Sequence, residues 1–177
     1  MNIFVTGTEN NVGKTFITTA LAALMQSLGY KSGIYKPFQC GAERKNGFSY
    51  SRDLAFVKKI DSYIATSCSY MLKTPVVPAL ASEIEKVVID PNIIVKDYTN
   101  LQEKCDLVLA EGEGGIGVPV NSKLYMTDII RLLKLPILII TTPDKNVVNK
   151  TLLTVNQAEQ VGIKIRGVII KRLSAGN

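Results

Sequence analysis

Near the amino terminus, Gly7-Thr8-Glu9-Asn10-Asn11-Val12-Gly13-Lys14-Thr15 gathers two glycines, a lysine and hydroxyl side chains into one short turn. It follows the apolar run Ile3-Phe4-Val5 and precedes a helical pattern beginning near Thr15. Strand, glycine loop and helix in that order form the context a phosphate-binding loop needs. Backbone N–H groups of the loop and first helical turn converge on anionic oxygens, and the helix dipole adds positive potential. Lys14 is placed to reach terminal phosphates, and the Thr15 hydroxyl to ligate Mg²⁺. The spacing departs from the common pattern, with five residues between Gly7 and Gly13 and Thr8 in the nominal first-glycine position. Position after an N-terminal buried strand, more than the Gly-Lys-Thr triplet itself, predicts a nucleoside triphosphate site.

The other chemistry-bearing residues stand after further apolar runs. Lys36 ends Ser32-Gly33-Ile34-Tyr35, and Glu111 ends Asp106-Leu107-Val108-Leu109-Ala110. Glu111, directly after four apolar residues and before Gly112, fits a magnesium carboxylate better than a solvated loop acid. The glycines around Glu113, namely Gly112, Gly114 and Gly115, let backbone amides approach a ligand closely. Lys36 beside a phosphate site reads as an electrostatic clamp on developing negative charge. Asp53 is a candidate second carboxylate, with a solvated acid at a helix start as its bland alternative. Asn149, taken alone, reads better as a helix cap than as a substrate contact.

These residues need a scaffold that brings strand ends together. Helical spacing is expected from Thr15 to Gly29, then at 52–60, 62–71, 91–104, 124–134 and 148–161. Residues 38–50 read as an irregular loop and 74–78 as an extended connection, while Pro37 is expected to end its ladder. Buried strands at 32–37, 106–110, 136–141 and 165–170 alternate with the helices. Continuous apolar strands separated by helices predict a doubly wound α/β fold of about five parallel strands, in three α/β/α layers, resembling the phosphate-loop NTPases. Ligands of such sheets bind outside the strand carboxyl ends, so the phosphate loop, Lys36, Glu111 and the 141–149 segment are expected on one rim.

Composition narrows the rest. The 177 residues form one expected domain, residues 1–177, long enough for a substantial core. No apolar run approaches the ~20 residues that cross a bilayer, and no signal-peptide pattern opens the chain, so a cytoplasmic protein without a membrane partner is expected. Cys40, Cys68 and Cys105 lack metal-ligand spacing, and histidine is absent. That excludes Ser-His and Cys-His nucleophilic machinery and leaves Lys, Asp and Glu for proton transfer. The net charge of +6 favours acidic ligands, but the lysines are scattered and aromatics are not interleaved with them, so nucleic acid is not expected.

Taken together, Gly7-Thr8 through Val12-Gly13-Lys14-Thr15, Tyr35-Lys36-Pro37, Ser51-Arg52-Asp53 and Glu111-Gly112-Glu113-Gly114-Gly115 resemble the ATP-dependent dethiobiotin synthetases, in order and over the whole chain. The resemblance implies a biotin-biosynthetic cyclo-ligase that converts 7,8-diaminononanoate, CO₂ and ATP to dethiobiotin through a carbamate and a carbamic–phosphoric anhydride. It implies that Asn11, Val12, Gly13, Lys14, Thr15 and Phe16 wrap the phosphates of ATP, with Asp53, Glu111, Gly112, Glu113 and Gly114 beside them. Thr15, Asp53 and Glu111 would hold Mg²⁺, Lys14 and Lys36 would act on the reacting anion, and Thr8, Lys36, Cys40, Gly115 and Asn149 would meet the substrate. A homodimer is implied, the substrate's acid tail reaching the partner's helix start near Asn146 to Asn149.

Several positions depart from the family pattern. Asn11 replaces Glu, Cys40 replaces Ser or Thr, Glu113 replaces a small residue and Asn146 replaces Gly. Lys171-Arg172 stands where an Asn-Asp pair commonly reads adenine, and the chain ends at Ser174-Ala175-Gly176-Asn177, short of the strand and helix that usually close over the base. The alternatives are a degenerate, non-catalytic nucleotide-binding module and a related ATP-dependent amide ligase. A glutamine-dependent ligase would need a nucleophilic Cys and a His that this chain does not supply.

Overall fold

The computed structural model describes residues 2–45 and 47–171, except the side chains of Lys45 and Phe48. In chain order the elements are β1 (Ile3–Gly7), α1 (Lys14–Ser27), β2 (Ser32–Cys40), β3 (Glu43–Lys45), β4 (Phe48–Tyr50), α2 (Arg52–Ile60) and β5 (Ala65–Leu72), then α3 (Pro78–Glu85), α4 (Pro91–Gln102), β6 (Leu107–Glu111), α5 (Met126–Leu132), β7 (Ile137–Thr141), α6 (Val147–Gln160) and β8 (Ile165–Ile170). The apolar runs pair into one parallel sheet of order β5-β2-β6-β1-β7-β8. Because strand side chains alternate between faces, each run feeds two cores. Ile34 and Leu109 pack with Ala22 of α1 and Val57 of α2. Phe4, Tyr35, Val108, Ala110 and Ile139 pack with Ile94 and Tyr98 of α4, Ile129 of α5 and Ala158 of α6. Helices therefore cover both faces, the three-layer α/β/α arrangement of the phosphate-loop NTPases.

Local chemistry sets several boundaries. Asp90 accepts a hydrogen bond from Asn92 N at 2.8 Å, and Pro91 opens α4, so the Asp-Pro pair starts that helix. Ser51 caps α2 by accepting from Leu54 N at 3.1 Å, and its hydroxyl donates to Gln39 Oε1 at 2.7 Å. The second contact ties the start of α2 to β2.

Three expectations are corrected. The sheet has six strands rather than five, because the stretch expected as a helix at 62–71 holds β5. Its Thr and Tyr residues lose side-chain freedom in a helix, its Ser side chains compete for backbone hydrogen bonds, and the run fits a pleated edge, where pairing with β2 completes the backbone. The presumed irregular loop 38–50 holds the end of β2 and the antiparallel pair β3–β4. Pro37 does not end its strand. Pairing with β6 stops at Tyr35, but pairing with β5 resumes at Phe38 and runs to Cys40.

Candidate active site

Sheet register alone assembles the centre of the site. β1 pairs with β6 so that Val5 faces Glu111, which brings Glu111 beside the loop leaving Gly7. β2 pairs with β6 so that Tyr35 faces Ala110, which sets Lys36 level with Glu111. Alternation does the rest. Lys36 shares the face of Ile34 and Glu111 that of Leu109, the face covered by α1 and α2. Thr15 lies in the first turn of α1 and Asp53 in the first turn of α2, so hydroxyl, ammonium and two carboxylates converge.

The contacts follow that logic. The Thr15 hydroxyl donates to Glu111 Oε1 at 2.6 Å. Lys36 Nζ donates to Asp53 Oδ2 and lies 3.5 Å from Glu111 Oε1. Lys36 and Glu111 are each only 2% exposed, whereas Asp53 is 34% exposed. Burial would depress the Lys36 ammonium, but Glu111 and Asp53 outweigh it and hold the pKa above the usual lysine value. Lys14 lacks that compensation. Burial lowers its pKa despite Glu111 and Glu113 nearby, and its ammonium donates to the Glu9 carbonyl at 3.3 Å. Burial also raises the Glu113 carboxyl, against the opposing pull of Lys36, and raises the Cys40 thiol to about 12.

The loop backbone is shaped for close approach. Gly13, the residue preceding α1, has φ 92°, which a side chain would strain. Gly112 lies against the Phe4 ring so tightly that a Cβ there would sit 2.7 Å from Phe4 Cε1. Gly112 N donates to the Val5 carbonyl at 3.0 Å, fixing the post-β6 loop to β1.

A cleft of about 920 Å³ opens over these groups. Asn11, Gly13, Lys14, Thr15, Lys36, Cys40, Asp53, Glu111, Gly112, Glu113 and Gly114 all line it. Other candidates sit elsewhere. Val12 is 1% exposed and packs with Val5 and Ile140 in the core. Phe16 is exposed beside the loop, with Lys171 Nζ 5.0 Å from its ring centroid. Thr8 and Gly115 line a smaller hollow of about 220 Å³, bounded also by Lys150 and Gln157 of α6. Asn149 is exposed on α6 and lines neither. It is not the cap of α6 either, since that place belongs to Asn146. The 141–149 segment does reach the strand-end rim, where Thr8 donates to Thr141 at 3.0 Å, but none of its residues lines the main cleft or the small hollow. Arg172 and the residues at 174–177 lie outside the described chain.

Two groups of residues carry no sequence motif. Pro75, Val76, Val77, Leu80 and Val118 form an apolar wall of the cleft, and the one available signal is a pair of valines in an otherwise polar connection. Lys150 of α6 pairs with Glu9 of the phosphate loop and with Asp144 before α6. Helical spacing cannot reveal a contact across so much chain.

Fold and site define the class first: a phosphate-loop α/β/α protein, matched over residues 1–176 by the family model described as AAA domain. Solved structures of similar fold include the kinase domain of Escherichia coli tyrosine kinase ETK, with TM-score 0.62 and 17% identity over 99% of this chain and 69% of that one. MinD cell division protein of Aquifex aeolicus gives TM-score 0.56 and 14% identity over 98% of this chain and 70% of that one. Curated relatives are more specific. The ATP-dependent dethiobiotin synthetase of Anoxybacillus flavithermus is 36% identical over 97% of this chain and 78% of its own length. That of Bacillus subtilis is 33% identical over 97% of this chain and 74% of its own. The chain belongs to the ATP-dependent dethiobiotin synthetase family.

Proposed function

We propose that this chain is an ATP-dependent cyclo-ligase that makes dethiobiotin from 7,8-diaminononanoate and CO₂. Family membership supports the reaction, and one observation supports its location: the buried Lys36 and Glu111 lie side by side, with the half-buried Thr15 hydroxyl on Glu111, beside the phosphate loop. One substrate amine takes up CO₂ and loses a proton, giving a carbamate. A carbamate oxygen attacks the γ-phosphorus of ATP and ADP leaves, forming a carbamic–phosphoric anhydride. The second amine attacks the carbonyl carbon, a proton is lost, phosphate departs and the ureido ring closes.

Each residue has a part in that sequence. Loop amides from Asn11 to Phe16 and the Lys14 ammonium hold the triphosphate. Lys36 steadies the carbamate oxygens and the charge that develops on the transferred group. Neither part needs histidine, because positioning and charge neutralisation dominate phosphoryl transfer.

The residues present fit Mg²⁺. Glu111 Oε2 is buried without a hydrogen-bond partner, and Thr15, Glu111 and Asp53 together offer hard oxygen donors. Among the described residues no group of three acidic, Cys or His side chains could hold a metal alone. That suits an ion bound through one or two carboxylates with phosphate oxygens and water completing its shell. Bound there, Mg²⁺ would supply charge neutralisation of the β- and γ-phosphate oxygens.

The reading includes one domain acting as a homodimer, the exposed Asn149 meeting the acid tail of the partner's substrate. Among the described residues no helix is long and apolar enough to cross a membrane. Incubation with ATP, Mg²⁺, bicarbonate and diaminononanoate tests the whole: dethiobiotin detected by mass spectrometry, and lost on Lys14→Ala or Lys36→Ala, supports it. Nucleotide binding without product would favour a non-catalytic module, a reading motivated by the extra Glu113 carboxylate in the cleft wall.

A further inference from the structure

The cleft holds three carboxylates, and two are already engaged. Asp53 and Glu111 neutralise Lys36, and Glu111 also accepts from Thr15. Glu113 is the exception. Half-buried in the cleft wall, it makes no ion pair within 4.0 Å among the described residues. Its carboxylate faces the backbone N–H of Cys40 at the end of β2. Lys36 and Lys14 offset part of its charge from a distance, but with no ion pair formed the desolvated carboxylate keeps lone pairs open to a donor.

Its surroundings narrow the partner. The Cys40 side chain lines the same cleft but offers a thiol, a weak hydrogen-bond donor and acceptor. Val76, Val77 and Leu80 supply apolar surface on the cleft wall. One strong acceptor, one weak polar neighbour and an aliphatic wall together suit an alkylammonium group better than another anion.

We propose that Glu113 is a specificity-determining residue that binds the uncarboxylated ammonium of the diamine substrate, standing in for the hydrogen-bond acceptance that Cys40 supplies poorly. The inference rests on the functional reading above. It concerns recognition and assigns Glu113 no proton transfer. A charged hydrogen bond of this kind corresponds to roughly a tenfold or greater change in dissociation constant when its charge is removed.

Calorimetric titration with diaminononanoate, without ATP or bicarbonate, tests it on the intact protein. Glu113→Gln should weaken diamine binding about tenfold or more, while the monoamine 7-aminononanoate discriminates the two proteins far less. Glu113→Ala should behave alike, and adding Cys40→Ser to it should recover part of the affinity, because a hydroxyl accepts where a thiol scarcely does. A purely structural role for Glu113 would weaken both ligands equally and would gain nothing from the serine. Unchanged diamine affinity in Glu113→Gln overturns the inference, as does tighter binding of the β,γ-methylene analogue of ATP with the diamine unaffected. If the unaltered protein binds that analogue but no diamine, the functional reading fails and takes the inference with it, a result distinct from the other two.

Discussion

Replacing Lys36 by Met is the sharpest probe of the buried cluster. Met keeps an unbranched apolar stem but removes the ammonium that neutralises Glu111, which is 2% exposed, and Asp53, which is 34% exposed. Removing one member of a buried ion pair generally costs about 3–5 kcal/mol, because the other charge stays desolvated. Asp53 can turn to water, so the lower end applies, about 3 kcal/mol. For a chain of this size each kcal/mol moves Tm by about 2–4 °C, so a fall of about 6–12 °C is expected. Thermal and urea unfolding followed by circular dichroism measures it. Adding Glu111→Gln should restore much of the loss, with a coupling of about 1 kcal/mol or more in the double-mutant cycle. A Lys36→Met protein that unfolds like the unaltered one, or a cycle without coupling, would refute the claim that Lys36 is the counter-charge of Glu111.

Four further outcomes are expected. Lys14→Ala abolishes triphosphate binding in a nucleotide-competition assay, and retained affinity would remove the phosphate-loop assignment. Gly112→Ala places a methyl 2.7 Å from the Phe4 ring and should destabilise the protein by about 1–3 kcal/mol in urea unfolding. The Glu113 carboxyl is raised above its ordinary 4.5 on folding, so the folded state binds the proton more tightly. Stability should therefore fall as pH climbs from 4.5 through the folded value, and the relative stability of Glu113→Gln should grow over that window. Cys40 and Cys68, both raised by burial to about 12, should alkylate with iodoacetamide at pH 7.5 far more slowly than a free thiol.

Much of the site is legible in the sequence because local patterns carry it. Glycine loop, apolar strand and helix start are short-range signals, and the rule that ligands gather at strand carboxyl ends converts four of them into one rim. β5 is harder to read, since its run from Ala65 to Leu72 is stabilised by pairing with β2 and not by its own periodicity. The apolar wall is hidden for a similar reason. Val76 and Val77 sit in a connection whose place over the cleft depends on packing of α3, for which no local signal exists. Lys150 joins Glu9 across the interval between loop and α6, a contact that only tertiary geometry creates.

The strand order explains how one register gathers the candidate residues. The chain passes from β1 to β2 while leaving a place between them, and β6 fills it, so Glu111 emerges between the phosphate loop and Lys36. A slip of one residue would turn Lys36 or Glu111 to the opposite face, away from Thr15 and Asp53. Several contacts oppose that slip. Ser32 Oγ donates to the Ala22 carbonyl at 2.9 Å and Ser32 N to Gln26 Oε1 at 3.0 Å, tying the start of β2 to α1. Tyr35 donates to the Ile94 carbonyl at 2.9 Å, tying the same strand to α4 on the other face. Gly33 lies so close to Cys105 Sγ that a Cβ would come within 2.9 Å, which holds β2 against the end of α4. Residues outside the cleft thus hold the Lys36 ammonium and the Glu111 carboxylate in line beside the phosphate loop.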